Sequence, residues 1–209
     1  EQALGKIGYS LSLHLITDYE LSNQLLPASF HIQNTDAILA LEIFNRNYCE
    51  FLCTLGKPIL FSDIYSTFTQ GDLSADILVA DNYTASVKLY SSVIEDCKPK
   101  SIGFLGDPDY SLSFQDRFKG FLSVTQKYGF SDSYKNHSII SNIQNFQNDI
   151  WMQNKFKTLE IPNLLVCAND ILAMKALTCL ERLNIKVPDE VMVCGYDGEI
   201  KIVEEEKSH

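Results

Sequence analysis

The sequence predicts an α/β protein built on parallel sheets covered by helices. Three observations lead there. Several short segments, such as 164–168 and 191–194, are apolar at every position. Strands without polar alternation are buried on both faces, as in a parallel sheet. Stretches with apolar residues at helical spacing lie between them, and the alternation repeats roughly every 25 to 35 residues, the length of a strand–helix–strand unit.

In chain order, residues 8–15 read as a strand, and a helix is expected through Leu21, Leu25 and Leu26. Residues 35–41 read as the next strand, 46–55 as a helix and 57–63 as a strand. Residues 76–81 form the next extended piece, and a helix is expected over 84–96. The segment 67–75 is the one long loop-like gap. Further on, 101–106 is a strand closed by the turn-prone Asp107-Pro108. Phe114, Phe118, Phe121 and Leu122 mark a helix up to Tyr128-Gly129. Residues 137–140 read as a strand, and Phe146, Ile150, Trp151 and Phe156 mark a helix. Residues 164–168 form a strand, Asn169 caps a helix through Leu180, Val187-Pro188-Asp189 breaks it, and 191–196 form the last strand.

Composition narrows the function. Of 209 residues, 45% are apolar, enough for a core. No apolar run reaches the about 18 residues a membrane-spanning helix needs. The net charge of −10 would repel a polyanion, so these residues by themselves are not expected to hold DNA. Cys49, Cys53, Cys97, Cys167, Cys179 and Cys194 lack zinc spacing and sit singly or at i, i+4 within apolar patterns. They read as free buried thiols, which points to a reducing cytoplasm. No phosphate loop, dinucleotide fingerprint or nucleophile elbow is present, and the four histidines stand apart from the polar strand ends. No enzyme, cofactor or metal site is expected.

Open parallel sheets bind ligands beyond the carboxyl ends of their strands. Polar residues there are Asp63, Asp81, Asp107, Asn169-Asp170 and Asp197. Two readings stand for them: caps of the following helices, or the lining of a shared crevice.

Three segments resemble the LacI/GalR repressor family. They are Lys57-Pro58-Ile59-Leu60-Phe61-Ser62-Asp63; residues 101–106 continued by Ser113-Phe114-Gln115-Asp116-Arg117-Phe118-Lys119-Gly120-Phe121; and Ala168-Asn169-Asp170 followed by Val187-Pro188-Asp189-Glu190-Val191 and Gly195-Tyr196-Asp197. The likeness covers roughly residues 8–198. It implies a periplasmic-binding-protein-like type I architecture, two doubly wound parallel-sheet subdomains joined by a hinge, with the ligand between them. Residues 1–80 would form the first subdomain, 81–198 the second, and 199–209 a return segment. The family's first strand would precede Gly5 and further chain would follow Gly-Tyr-Asp, so the resemblance implies a core shortened at both ends. Gly198 stands where the family often has a second Asp.

The resemblance also implies a ligand set: Asp63 from the first subdomain, with Arg117, Asn169 and Asp197 from the second. Arginine offers a rigid fork of donors, the carboxylates accept from hydroxyls, and the amide does both. A surface ion pair of Arg117 with Asp116 is the competing reading. Trp151, Phe68 and Tyr110 are candidate walls, with core packing the alternative for Trp151. The expected function is the effector-binding core of a cytoplasmic, homodimeric regulator that senses a small polar molecule, a sugar. Operator DNA would be reached only through a helix-turn-helix headpiece outside these residues. A sugar solute-binding protein for transport or sensing is the alternative on the same fold.

Overall fold

A computed structural model describes residues 2–68 and 71–198. The chain divides into two compact units, one up to Leu78 and one from Val79 onward. The return segment expected at 199–209 lies outside the described residues.

The first unit opens with a short helix, α1 (Gln2–Gly5), and a six-residue helix, α2 (Asp18–Asn23). Its sheet is parallel, in the order β1 (Ile38–Ile43), β2 (Ile59–Ile64), β3 (Asp76–Leu78). Helix α3 (Arg46–Cys53) joins β1 to β2, capped by Asn45, whose side-chain oxygen accepts from Tyr48 N at 3.0 Å. It turns Tyr48, Cys49 and Leu52 inward beside Ala40, Ile59 and Phe61.

Three expectations for this unit need correction. Residues 8–15 are not a strand. Residues 10–16 make no backbone hydrogen bond among the described residues, and Leu13 and Leu15 are about four-fifths exposed (82% and 80%). Alternating apolar residues suit a strand, but a strand exists only with a ladder partner. Helix α2 stops before Leu25 and Leu26 because Gln24 turns left-handed (φ 52°) and Pro27 disfavours helical backbone at Leu26. Nor is this sheet buried on both faces: Leu39, Leu41, Leu60 and Leu78 share the face opposite Ala40, Ile59 and Phe61 and are exposed.

The second unit holds a parallel sheet in the order β5-β4-β6-β7, with β4 (Ile102–Gly106), β5 (Ile139–Ile140), β6 (Leu164–Cys167) and β7 (Met192–Cys194). Its helices are α4 (Asn82–Cys97), α5 (Leu112–Tyr128), α6 (Asp149–Thr158) and α7 (Asp170–Arg182). Every residue of β4 and β6 is buried. Side chains that accept from backbone N–H groups start the helices: Asp81 at Thr84, Ser111 at Phe114, Asn148 at Trp151 and Asn169 at Leu172. Gly129 ends α5 in the left-handed region, φ 81°. Helices α4 and α5 pack closely because residue 120 is glycine: a Cβ there would meet Ser86 Oγ at 2.1 Å.

Strands β5 and β7 are shorter than expected. His137 belongs to a 3-10 turn, Tyr134–His137, instead of to β5. Its imidazole Nδ1 lies 2.7 Å from the Glu160 carbonyl oxygen, and this tie replaces a ladder position. Strand β3 likewise ends at Leu78, before Asp81.

Candidate ligand site

The strand order of the second unit reverses direction between β4 and β6, and sheets of this kind bind ligands beyond the carboxyl ends of the strands at such a switch point. Arg117, on the second turn of α5, points there. Its Nη1 donates to Ala168 O at 2.7 Å, just past β6, and lies 3.1 Å from Asp197 Oδ1. Its Nε donates to Asn82 Oδ1 at 3.2 Å. The guanidinium sits 3.8 Å from the Tyr196 ring centroid, a cation–π distance, and 5.6 Å from that of Phe114. Only 11% of the Arg117 side chain is exposed, against 32% for Asp197. The cation is thus seated, largely shielded and matched by one carboxylate.

Asn82 is a buried partner of Arg117. Its amide donates to Ala80 O at 3.1 Å and Ser113 Oγ at 3.0 Å, which fixes its oxygen toward Nε. Burial raises the Tyr196 phenol above its ordinary value, and the Arg117 charge opposes that rise. Nearby, Tyr90 is fully buried and its hydroxyl has no hydrogen-bond partner among the described residues.

The other strand-end residues divide between the two readings. Asp81 is exposed and caps α4, and the Thr84 backbone N–H holds its carboxyl below the usual range. Asn169 caps α7 with its oxygen, at 2.9 Å from Leu172 N. Asp107 is buried and braces two loops, accepting from Asp109 N at 3.1 Å and Ile143 N at 2.6 Å. Asp197 alone of these carboxylates carries an ion pair to Arg117. Asp116 pairs instead with Lys119, at 3.3 Å.

The remaining candidates are dispersed. Tyr110 is half-buried and edges onto Phe114, ring centroids 5.4 Å apart, which links it to the Arg117 surroundings. Trp151 edges onto Phe146 at 5.6 Å, with Lys155 5.4 Å from its ring. It lines a groove of about 270 Å³ with Asn136, Ser138 and Lys155, and shares no hydrogen bond, ion pair or ring contact with the Arg117–Asp197 pair. In the first unit, Phe68 is buried beneath the Arg46 guanidinium, 4.9 Å away. Asp63 follows Ser62 in β2 with φ 54° and accepts from Ile64 N at 3.0 Å. Sequence reasoning named Asp170 only as a strand-end polar residue, and it missed Asn82 as a partner of Arg117 and the seat formed by Tyr196. Asn82 opens α4 directly after the Asp81 cap, and Tyr196 lies inside Gly195-Tyr196-Asp197, so both were within reach of a closer reading.

All six cysteines are free. Burial pushes the Cys49 thiol up to about 12 and the Cys194 thiol up to about 11. Among the described residues, no cluster of His, Cys, Asp and Glu could hold a metal ion, and no helix is long and apolar enough to cross a membrane.

A doubly wound parallel α/β sheet is the class of fold that binds ligands beyond its strand ends. Comparison with known proteins agrees. The model of the periplasmic binding protein-like domain matches residues 98–205, more than half of the chain. The HTH-type transcriptional repressor PurR of Photobacterium profundum is 27% identical over 100 residues, 47% of this chain and 29% of that protein. The LacI transcriptional regulator of Bacillus cereus subsp. cytotoxis superposes with a TM-score of 0.61 at 18% identity, over 77% of this chain and 56% of that one. A LacI-family regulator of Enterococcus faecalis, solved with bound ribose, gives 0.58 at 19% identity, over 79% and 57%. The chain belongs to the periplasmic binding protein-like domain family. The matched stretch spans under a third of the Photobacterium repressor and somewhat over half of each of these two solved chains.

Proposed function

We propose that this core binds a neutral sugar at the Arg117–Asp197 edge and so controls operator binding by a transcription regulator. The observation that carries this reading is the 3.1 Å ion pair itself. Because Asp197 matches the Arg117 charge, the edge presents donors and acceptors without surplus positive charge. Sugar hydroxyls serve as both donor and acceptor, whereas a phosphate would find no uncompensated positive charge to pair with. Asn169, whose oxygen caps α7, retains its amide donors for the same ligand. Asp63 is a further proposed contact from the first unit, and Tyr110, Trp151 and Phe68 are proposed walls. A ribose-bound relative supports the chemical class.

Regulation follows from differential binding. The sugar must favour one conformation of the core over another, and a homodimer would pass that preference to helix-turn-helix headpieces outside the present chain. The free thiols support a cytoplasmic setting. Calorimetric titration tests the site with D-ribose, D-glucose, cellobiose, sugar phosphates and purine bases. A neutral sugar should bind, and Arg117→Ala should abolish the signal. Equal binding by that variant would refute the site.

A further inference from the structure

We infer that Asp170 is the positioning residue of this edge: its carboxylate holds the turn after β7 and, through that turn, the carboxylate that faces Arg117. This deepens the proposed ligand site and rests on it for its functional meaning. Asp170 is the first residue of α7 and is buried, 7% exposed. Its Oδ1 accepts from Tyr196 N at 2.7 Å and from Asp197 N at 3.2 Å. Asp197 Oδ2 in turn accepts from Asp170 N at 3.4 Å, while Asp197 Oδ1 faces Arg117 Nη1. Each aspartate thus holds the other's backbone.

Glycine makes this approach possible. A Cβ at position 195 would lie 2.1 Å from Asp170 Oδ1, so any other residue there would push the turn off the carboxylate. The two backbone donors that meet Oδ1 belong to Tyr196 and Asp197, which stack under Arg117 and pair with it. One buried carboxylate therefore sets both the ring beneath the arginine and the carboxylate that pairs with it. An acid at a helix start that served only its own helix would accept from α7 amides. Here Oδ1 accepts from the segment that follows the neighbouring strand β7, and Asn169 is the cap of α7.

Three variants test this by NMR: Asp170→Ala, Asp170→Asn and Gly195→Ala. The readouts are hydrogen exchange at the Tyr196 and Asp197 amides and the Arg117 Nε–H resonance. Loss of a hydrogen bond to a charged acceptor should speed exchange at the two amides roughly tenfold or more in Asp170→Ala, and shift the Arg117 resonance. The asparagine side chain retains an acceptor oxygen, so Asp170→Asn should restore most of the protection. If Asp170→Ala fails to fold, Gly195→Ala, which keeps the carboxylate but displaces the turn, should show the same two losses. Unchanged exchange and an unchanged Arg117 signal in Gly195→Ala or Asp170→Ala overturn the inference, as does Asp170→Asn behaving like Asp170→Ala. D-ribose titration of Arg117→Ala separates the two levels: unaltered binding there, beside the expected exchange changes, overturns the site and leaves the positioning role standing.

Discussion

The guanidinium of Arg117 lies 3.8 Å from the centroid of the Tyr196 ring, with the Asp197 carboxylate beside it. The stack makes Tyr196 a support for the cation. Tyr196→Phe keeps the π face but loses the hydroxyl contacts to Asn82 O, at 3.5 Å, and to Arg117, so it should be destabilised less than a variant that loses the ring. Tyr196→Leu should cost about 1 kcal/mol by urea denaturation. Equal stability of the leucine variant would show that the stack contributes nothing.

Close packing of α4 on α5 depends on Gly120, where a Cβ would meet Ser86 Oγ at 2.1 Å. Gly120→Ala should destabilise by about 1–3 kcal/mol through overpacking. Removing that oxygen with Ser86→Ala should recover part of the loss, and a double-mutant cycle reads the coupling. Additive effects would contradict the contact.

Tyr90 is fully buried, and its hydroxyl has no hydrogen-bond partner among the described residues. A buried hydroxyl without a hydrogen bond is costly, so Tyr90→Phe should be neutral or stabilising by up to about 1 kcal/mol. A clear loss in thermal denaturation would mean that the hydroxyl is satisfied in solution.

Burial raises the Cys49 thiol from an ordinary 9.0 to about 12 and the Cys194 thiol to about 11. The folded state therefore holds these protons more tightly than the unfolded chain. Their contribution to stability is complete below pH 9, and it declines as pH rises through the window up to those values. Urea midpoints should fall between pH 9 and 11, and the fall should be shallower in Cys49→Ala. An identical slope in that variant would exclude Cys49 as a source.

The legible parts of the fold are those with local causes. Strands β4 and β6 could be read because they carry no charged or alternating polar positions, and the helices after Asp81 and Asn169 because those residues cap them. Residues 8–15 carried an extended pattern without becoming a strand, since pairing depends on a neighbour that a local pattern does not reveal. The one-sided burial of β1 and β2 escaped for a like reason: Leu39 and Leu60 read as core, and only the packing shows their face uncovered. In the site, Arg117 and Asp197 could be named from the family resemblance. Their pairing with each other, in place of Arg117 with Asp116, required the tertiary structure. Asp170 looked like one more helix-start acid because its bonds to Tyr196 and Asp197 join segments remote in sequence.

Binding of a neutral sugar at the Arg117–Asp197 edge, as proposed above, can be observed in solution. Chemical-shift mapping of nitrogen-labelled protein, titrated with D-ribose, D-glucose and cellobiose, tests it most directly. Saturable shifts are expected, with at least one of these sugars, at the Asn169, Tyr196 and Asp197 amides and at Arg117 Nε–H. Shifts confined to the groove around Trp151 and Lys155, or no shift with any of the three, would contradict it.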